Sequence, residues 1–196
     1  MAEDKNTVKT PKERYISGDS TKWKNWMSVL APTTCLECAA LHGTIYPMSK
    51  FVHTPKHING MCSVVPMRTI AAGMVSEMGE DGVDVYLMRY GKLPDYYVSK
   101  DEALEAGWKK NGNTLHDVLP DKMIGGDVYY KYEKKLPSAT GRTWREADFD
   151  YFMGTRNTFR ILYSNDGLIF VSYDHAQTFY ELTEYNGGSI NEEIHG

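Results

Sequence analysis

Two regimes of apolar spacing divide the chain. Between residues 81 and 119 apolar side chains recur three and four apart, and beyond residue 122 they alternate. In DGVDVYLMRYGKLP, Val83, Leu87 and Tyr90 fall on one helical face, Val85 and Met88 widen the stripe, and Gly91 and Pro94 close it. Ser99 caps a second helix, DEALEAGWKK, and Glu102 three residues on completes a capping box. Asp101 and Glu102 suit its start, Lys109 and Lys110 its end, and Leu104 and Trp108 face inward. A third, short helix is expected near residues 114–119, capped by Asn113 or Thr114 and stopped by Pro120. Strands are expected over 123–129, 143–151, 159–163, 168–172 and 178–182, with SNDG as a hairpin turn between the third and fourth. Helices first and antiparallel strands after give an α+β domain, with N-terminal helices packed on a C-terminal antiparallel sheet.

Before residue 81 neither period holds. Residues 1–20 are polar and read as a flexible lead-in. TKWKNWMSVL reads as a short helix with Trp23 and Trp26 on one face. MRTIAAGMVSEMGE, residues 67–80, reads as a junction that Gly73 and Gly79 weaken as a helix. The expected organisation is therefore a lead-in (1–20), a small module and linker (21–80), the α+β domain (81–182) and a polar tail (183–196).

Composition sets outer limits. A chain of 196 residues allows one medium domain or two small ones. A net charge of -4 weighs against a non-specific DNA binder with a broad basic surface, but not against an RNA enzyme, whose field is local to a cleft. No apolar run is long enough for a membrane span, and the N-terminus lacks the apolar stretch of a secretory signal, so export would need a larger precursor or a delivery system.

The three cysteines, Cys35, Cys38 and Cys62, exclude a closed disulfide framework. With His57 they make a candidate tetrahedral zinc shell, for which His42 and His53 are rival imidazoles. Reduced, metal-free core cysteines account for the same pattern, and a redox pair at Cys35 and Cys38 lacks a strand-then-helix context.

Further along, Glu146, Arg156, Arg160 and His175 are chemically sufficient for phosphodiester cleavage by acid–base catalysis. Alternation puts Trp144, Glu146 and Asp148 on one strand face, and Arg160 with Leu162 on one face of the hairpin. A convergent polar side places Glu146 beside Arg156 and Arg160, which keep it ionised and grip phosphate. An ion pair that merely holds the surface together is the plainer alternative. Asp148, Asp150 and Asp166 suit turns, caps and ion pairs better than a two-metal site.

Two resemblances sharpen these expectations. KLPDYYVSKDEALEAGW, IGGDVY, KLPSATGRTWREADFDY, RNTFRILYSNDGLIF and DHAQTF closely resemble the barnase family of small guanine-preferring bacterial ribonucleases, over residues 81–182. That resemblance implies Glu146 as general base and His175 as general acid, with Lys100, Arg156 and Arg160 holding the phosphate. It implies a 2',3'-cyclic phosphate, then a 3'-phosphate, with no catalytic cofactor and single-stranded RNA as substrate. DNA lacks the 2'-hydroxyl nucleophile. Asp127, Arg142 and Asp148 match support residues, and a barstar-like acidic inhibitor is an implied partner.

The base-reading loop departs from the family. Tyr129, Tyr130, Lys131, Tyr132 and Glu133 stand where Phe-Ser-Asn-Arg-Glu is usual, and Ala176 replaces a tyrosine. Glu133 can still accept from guanine, and Tyr129 and Tyr132 offer rings for stacking. Guanine preference is therefore expected to be weaker or altered.

Thr34, Cys35, Cys38, Leu41, His42, Gly43, Pro55, His57, Cys62 and Pro66 resemble a motif of minor head proteins of Mu-type tailed phages, over residues 30–67. Gly60 stands where that motif has a further cysteine. The combined expectation is an RNA endonuclease borne on a phage head-type or toxin-delivery protein, extracellular or virion-associated. The alternative is a catalytically inactive RNA-binding or virion structural module.

Overall fold

The computed structural model describes residues 21–31, 33–57, 60, 62–130, 135–151 and 156–184. The lead-in, most of the tail, and Lys131, Tyr132 and Glu133 of the loop expected to read the base lie outside the described residues. In chain order the elements are β1 (Trp23–Ser28), α1 (Leu36–Leu41), β2 (Ile45–Pro47), β3 (Cys62–Pro66), β4 (Thr69–Ala71), a 3-10 turn (Gly79–Asp81), α2 (Val83–Tyr90), β5 (Tyr97–Val98), α3 (Lys100–Glu105), β6 (Met123–Val128), β7 (Trp144–Asp148), β8 (Arg160–Ser164), β9 (Ile169–Ser172) and β10 (Tyr180–Thr183). They form a three-stranded sheet, β2-β1-β3, and a seven-stranded sheet, β4-β10-β9-β8-β7-β6-β5. The large sheet is antiparallel except at its two ends, where β4 joins β10 and β5 joins β6 in parallel. The molecule is thus a mixed α+β fold dominated by antiparallel sheet.

The local signals explain the helices. α2 stops at Gly91, which takes a left-handed φ of 67 and returns its N–H to the Leu87 carbonyl. α3 begins with a complete capping box. The Ser99 hydroxyl accepts from the Glu102 N–H at 3.2 Å, and the Glu102 carboxylate accepts from the Ser99 N–H at 2.7 Å. Residues 114–119 close as a turn rather than a helix: Thr114 and Asp117 exchange side-chain to backbone bonds, and Leu119 N–H reaches only Leu115 O.

Period-two alternation then sorts the sheet into two faces. Ala147, Ile161 and Val171 pack with Val83, Val85 and Leu87 of α2 on one face. Trp144, Leu162 and Phe170 pack with Met67 and Phe179 on the other, where Trp23 of β1 and Ile45 of β2 also rest. A third cluster joins Ala103 of α3 and Trp108 to Leu115, Ile124 and Tyr151.

Two N-terminal expectations are corrected. The segment with Trp23 and Trp26 is a strand, not a helix. β1 is the centre of its sheet, with Ser28 opposite Cys62 and Asn25 opposite Ile45. Trp26 and Ser28 are buried while Met27 is exposed, and the Trp26 indole N–H donates to Ser28 Oγ at 2.9 Å. A three-residue spacing of tryptophans fits a helix face, but pairing on both edges overrides it. The segment read as a junction contributes β4, whose Ile70 is wholly buried opposite Leu182.

β6 carries a bulge between Gly125 and Asp127, with Gly126 at φ 97. This irregularity sets Asp127 opposite Glu146 of β7. Gly125 lies so close to β7 that a Cβ there would meet Ala147 Cβ and Tyr97 Cδ1 at 2.6 Å. Gly125→Ala is therefore expected to destabilise by about 1–3 kcal/mol through overpacking. Urea unfolding checks this, and an unchanged midpoint would show that the strands do not approach so closely.

Candidate active site

The candidate residues are distributed over α3, β7, the segment 156–160 and the loop before β10. Lys100 is the first residue of α3. Its Nζ reaches Glu146 Oε1 at 2.5 Å and Asp127 Oδ2 at 3.7 Å. The Lys100 backbone N–H also donates to both Asp127 carboxylate oxygens, at 3.2 and 3.4 Å. The capped helix start and the bulge in β6 together deliver a lysine to the side of Glu146.

Asp148 lies two residues along the same strand face and is 1% exposed. It accepts from Arg156, through Nε and through Nη2 at 2.9 Å, and forms an ion pair with Arg160, whose Nε lies 3.0 Å away. The arginines, expected near Glu146, do line the same cleft, but their direct carboxylate is Asp148, and the cation bonded to Glu146 is Lys100. The strand faces are the same in both accounts. Register decides the difference, because β7 and β8 pair Asp148 with Arg160 and Glu146 with Leu162.

Arg160 is buried, and its Nη1 donates to the carbonyls of Asn157 and Phe159 at 2.8 and 2.6 Å. Burial pulls its pKa down against the pull of Asp148, while at Arg156 the hydrogen bond and charge of Asp148 outweigh burial and push it up. Both remain cations at any working pH. Arg156 also stands over the Trp108 ring, 5.9 Å from its centroid.

His175 is exposed, with φ 60, and its backbone N–H donates to the Thr158 carbonyl at 3.0 Å. Asp174 organises this loop. One of its oxygens accepts from Ser172 Oγ (2.9 Å), Gln177 N–H (3.1 Å) and Thr178 N–H (2.8 Å). Arg142 lies farther back. It grips Asp166 with Nε and Nη2 and the Pro137 carbonyl with Nη1, which ties the 137–142 loop to the β8–β9 hairpin and holds the Asp166 carboxyl below its usual range.

These groups meet in one cleft of about 530 Å³, lined by Lys100, Tyr129, Tyr130, Glu146, Arg156, Arg160, His175 and Ala176, with Lys110 and Lys135. Among the described residues, five Lys and Arg side chains and His175 thus face one carboxylate, although the chain as a whole carries -4. The sequence reading takes Lys110 only as a helix-end residue and does not single out Lys135, because nothing in their local sequence marks a lysine as facing a cleft. A second groove of about 730 Å³, lined by Trp108, Asn113 and Leu115 among others, shares Lys110, Arg156, Arg160 and His175 with the first. Of the base-reading candidates, Tyr129 is 8% exposed and packs with Trp144, so its ring is largely core, and burial followed by the Glu146 charge raises its pKa. Tyr130 is 79% exposed.

A model of the ribonuclease family matches residues 82–183. Proteins named ribonuclease from Heyndrickxia coagulans, Bacillus intermedius and Bacillus pumilus are each 52% identical to this chain over 99 residues, half of its length. The matched stretch covers 91% of the first and 61% of the other two.

The hydrogen bonds received by Asp174 outweigh its burial and hold its pKa below the ordinary 3.8. A depressed carboxyl stabilises the fold above its unfolded pKa, and that contribution fades as pH falls through the folded value. Asp174→Ala is therefore expected to lower the melting temperature at pH 7. The gap to the parent protein should narrow as pH falls below about 4, the usual carboxylate range. Melting curves across pH 2–7 check this, and a gap independent of pH would assign the loss to packing instead.

Proposed function

The chain belongs to the ribonuclease family, and we propose that it is a metal-independent RNA endonuclease in which Glu146 and His175 act as the base–acid pair. The observation that carries this reading is their joint position on one cationic cleft, with Lys100, Arg156 and Arg160 around them. The Glu146 carboxylate takes the proton of the ribose 2'-hydroxyl. The 2'-oxygen attacks phosphorus, the bond from phosphorus to the 5'-oxygen breaks, and protonated His175 gives its proton to that oxygen. The products are a 2',3'-cyclic phosphate and a free 5'-hydroxyl. In a second step the roles reverse: His175 takes a proton from water, Glu146 returns one to the 2'-oxygen, and a 3'-phosphate remains.

The transition state gathers negative charge on the phosphoryl oxygens, and preorganised cations in a cleft stabilise it without reorganising. Arg156 and Arg160 are held for that task by Asp148, and Lys100 holds the Glu146 carboxylate in place. RNA supplies its own nucleophile, so the chemistry asks for no metal, and DNA is not a substrate. Asp127 and Arg142 order α3 and the 137–142 loop. Base selection falls to the 129–133 segment. With Tyr129 turned into the core, guanine preference is weaker than that implied by the family loop, and Tyr130 is the described ring free to stack.

A cleft of this charge suits an acidic, barstar-like inhibitor, which a cell making the enzyme needs for its own protection. The matching residues cover half of the chain, and the preceding module resembles the head-protein motif apart from Gly60. The enzyme is thus read as an effector domain of a delivered or virion-associated protein acting outside the producing cell.

The test is cleavage of DNA strands that contain one ribonucleotide of each base in turn, with EDTA present. The parent protein is expected to yield a cyclic phosphate. Glu146→Ala is expected to be slower by about 10²–10⁴-fold, the usual weight of one acid–base group. His175→Ala should lose a comparable factor. Absence of cleavage by folded parent protein would overturn the enzyme reading in favour of a non-catalytic RNA-binding or virion structural role.

A further inference from the structure

Cys35, Cys38 and Cys62 lie outside the residues matched by the ribonuclease family, and the proposed chemistry makes no use of them. The fold nevertheless gathers them. Cys35 is the N-cap of α1, and its Sγ accepts the Cys38 N–H at 3.3 Å. Cys62 opens β3 directly opposite Ser28 of β1, and Ser28 Oγ donates to the Cys38 carbonyl at 2.6 Å. Strand pairing therefore brings Cys62 Sγ to 3.4 Å from Cys38 Sγ. The loop between β2 and β3 turns His57 back over the pair, with Nε2 at 3.0 Å from Cys35 Sγ and 3.3 Å from Cys38 Sγ.

We propose that Cys35, Cys38, His57 and Cys62 bind one zinc ion, which fastens the three-stranded sheet to α1. Zinc–sulfur bonds near 2.3 Å and zinc–nitrogen bonds near 2.0 Å make a tetrahedron with edges of about 3.5–3.8 Å. The observed separations are within a few tenths of an ångström of those edges. All three cysteines are free thiols, and the four side chains face a small cavity of about 90 Å³. Cys35, Cys38 and His57 already form a compact group, with ligand atoms all within 4.8 Å of one another.

The structure also selects the imidazole. His42 Nδ1 accepts the Ser28 N–H at 3.1 Å and so serves the strand. His53 is exposed and does not line the cavity that the three cysteines and His57 face. Gly60 occupies the place of a further cysteine in the head-protein motif, and a Cβ there would lie 2.7 Å from Pro55 Cβ and 3.2 Å from His57 Cε1. The missing side chain makes room for the histidine, so a Cys3His shell replaces a four-cysteine one.

The physical need for a fastening is plain. β2 has three residues and α1 six, and a sheet of this size buries too little apolar surface to hold itself. Trp26 supplies most of its interior. A metal that pins α1 to β3 keeps Trp23, Ile45 and Met67 seated on the Trp144–Phe170–Phe179 cluster.

The full chain, purified under reductant, is assayed for zinc by elemental mass spectrometry, and a second sample is loaded with cobalt(II). About one zinc per chain is expected, with the intense visible d–d and sulfur-to-cobalt bands of tetrahedral thiolate coordination. Cys62→Ser and His57→Ala should lower the metal content and change those bands, whereas His53→Ala should leave both intact. Chelation should lower the temperature at which the buried Trp26 fluorescence changes. Metal below a tenth of an equivalent in folded protein with three titratable thiols would overturn the proposal, as would a Cys35–Cys38 disulfide or unaltered cobalt spectra in both ligand variants. RNA cleavage measured on the same samples reads the ribonuclease proposal separately, since inactive protein with a tetrahedral cobalt site sinks only that reading.

Discussion

Asp148 imposes a strict electrostatic condition on the cleft. A carboxylate with 1% exposure sits within the large sheet and is tolerated because Arg156 and Arg160 surround it. Taking such charges out of water costs several kcal/mol per ion, and only good geometry and further hydrogen bonds repay it. The further bonds are present: Arg160 also donates to the carbonyls of Asn157 and Phe159. The cluster is therefore best understood as a device of placement. It locks the β7–β8 register at Asp148↔Arg160 and aims two permanently charged guanidinium groups at a cleft where Glu146 is the one carboxylate among the described lining residues.

That placement reconciles an acidic chain with a cationic site. Net charge governs solubility and long-range repulsion, whereas the field in a cleft depends on the charges that line it. Asp127, Asp148 and Asp166 spend their charge on Lys100, the two arginines and Arg142, and so act as scaffolding for cations. Glu146 differs from them in standing on the wall of the cleft itself.

Legibility from sequence followed the range of the forces involved. The capping box of Ser99 and Glu102, the stop at Gly91 and the SNDG turn are local interactions, and a few adjacent residues specify each. Strand faces were legible for the same reason, since alternation assigns Trp144, Glu146 and Asp148 to one side whatever they pair with. Register was not. Whether Arg160 meets Glu146 or Asp148 depends on a pairing between strands, and a shift of two residues keeps every side chain on its face while exchanging its partner. The same limit hid β4 and β5, short segments made into strands by neighbours distant in sequence. It also turned the Trp23–Trp26 spacing into a misleading helical signal and concealed that Tyr129 faces the core.

The histidine side of the cleft poses a converse problem, because its conformation is locally unfavourable. His175 and Ala176 both take φ 60, the left-handed region that costs a non-glycine residue on the order of 1 kcal/mol or more. Two such residues in succession persist only where the surroundings over-determine them. Here the wholly buried Ser172 accepts the Ala176 N–H at 2.8 Å, and Asp174 gathers three donors across the loop. Thr158 then joins this loop to the arginine segment from both ends: its hydroxyl donates to the Tyr173 carbonyl at 2.8 Å, and its carbonyl accepts the His175 N–H. Asn157, one residue earlier, bonds the carbonyls of Phe149 and Asp150 beyond β7. A continuous set of hydrogen bonds thus runs from the end of the strand that bears Glu146, through the residues between Arg156 and Arg160, to His175. The proposed proton donor, phosphate grips and base are referred to one frame, so a displacement that misaligns one of these side chains has to break bonds belonging to the others.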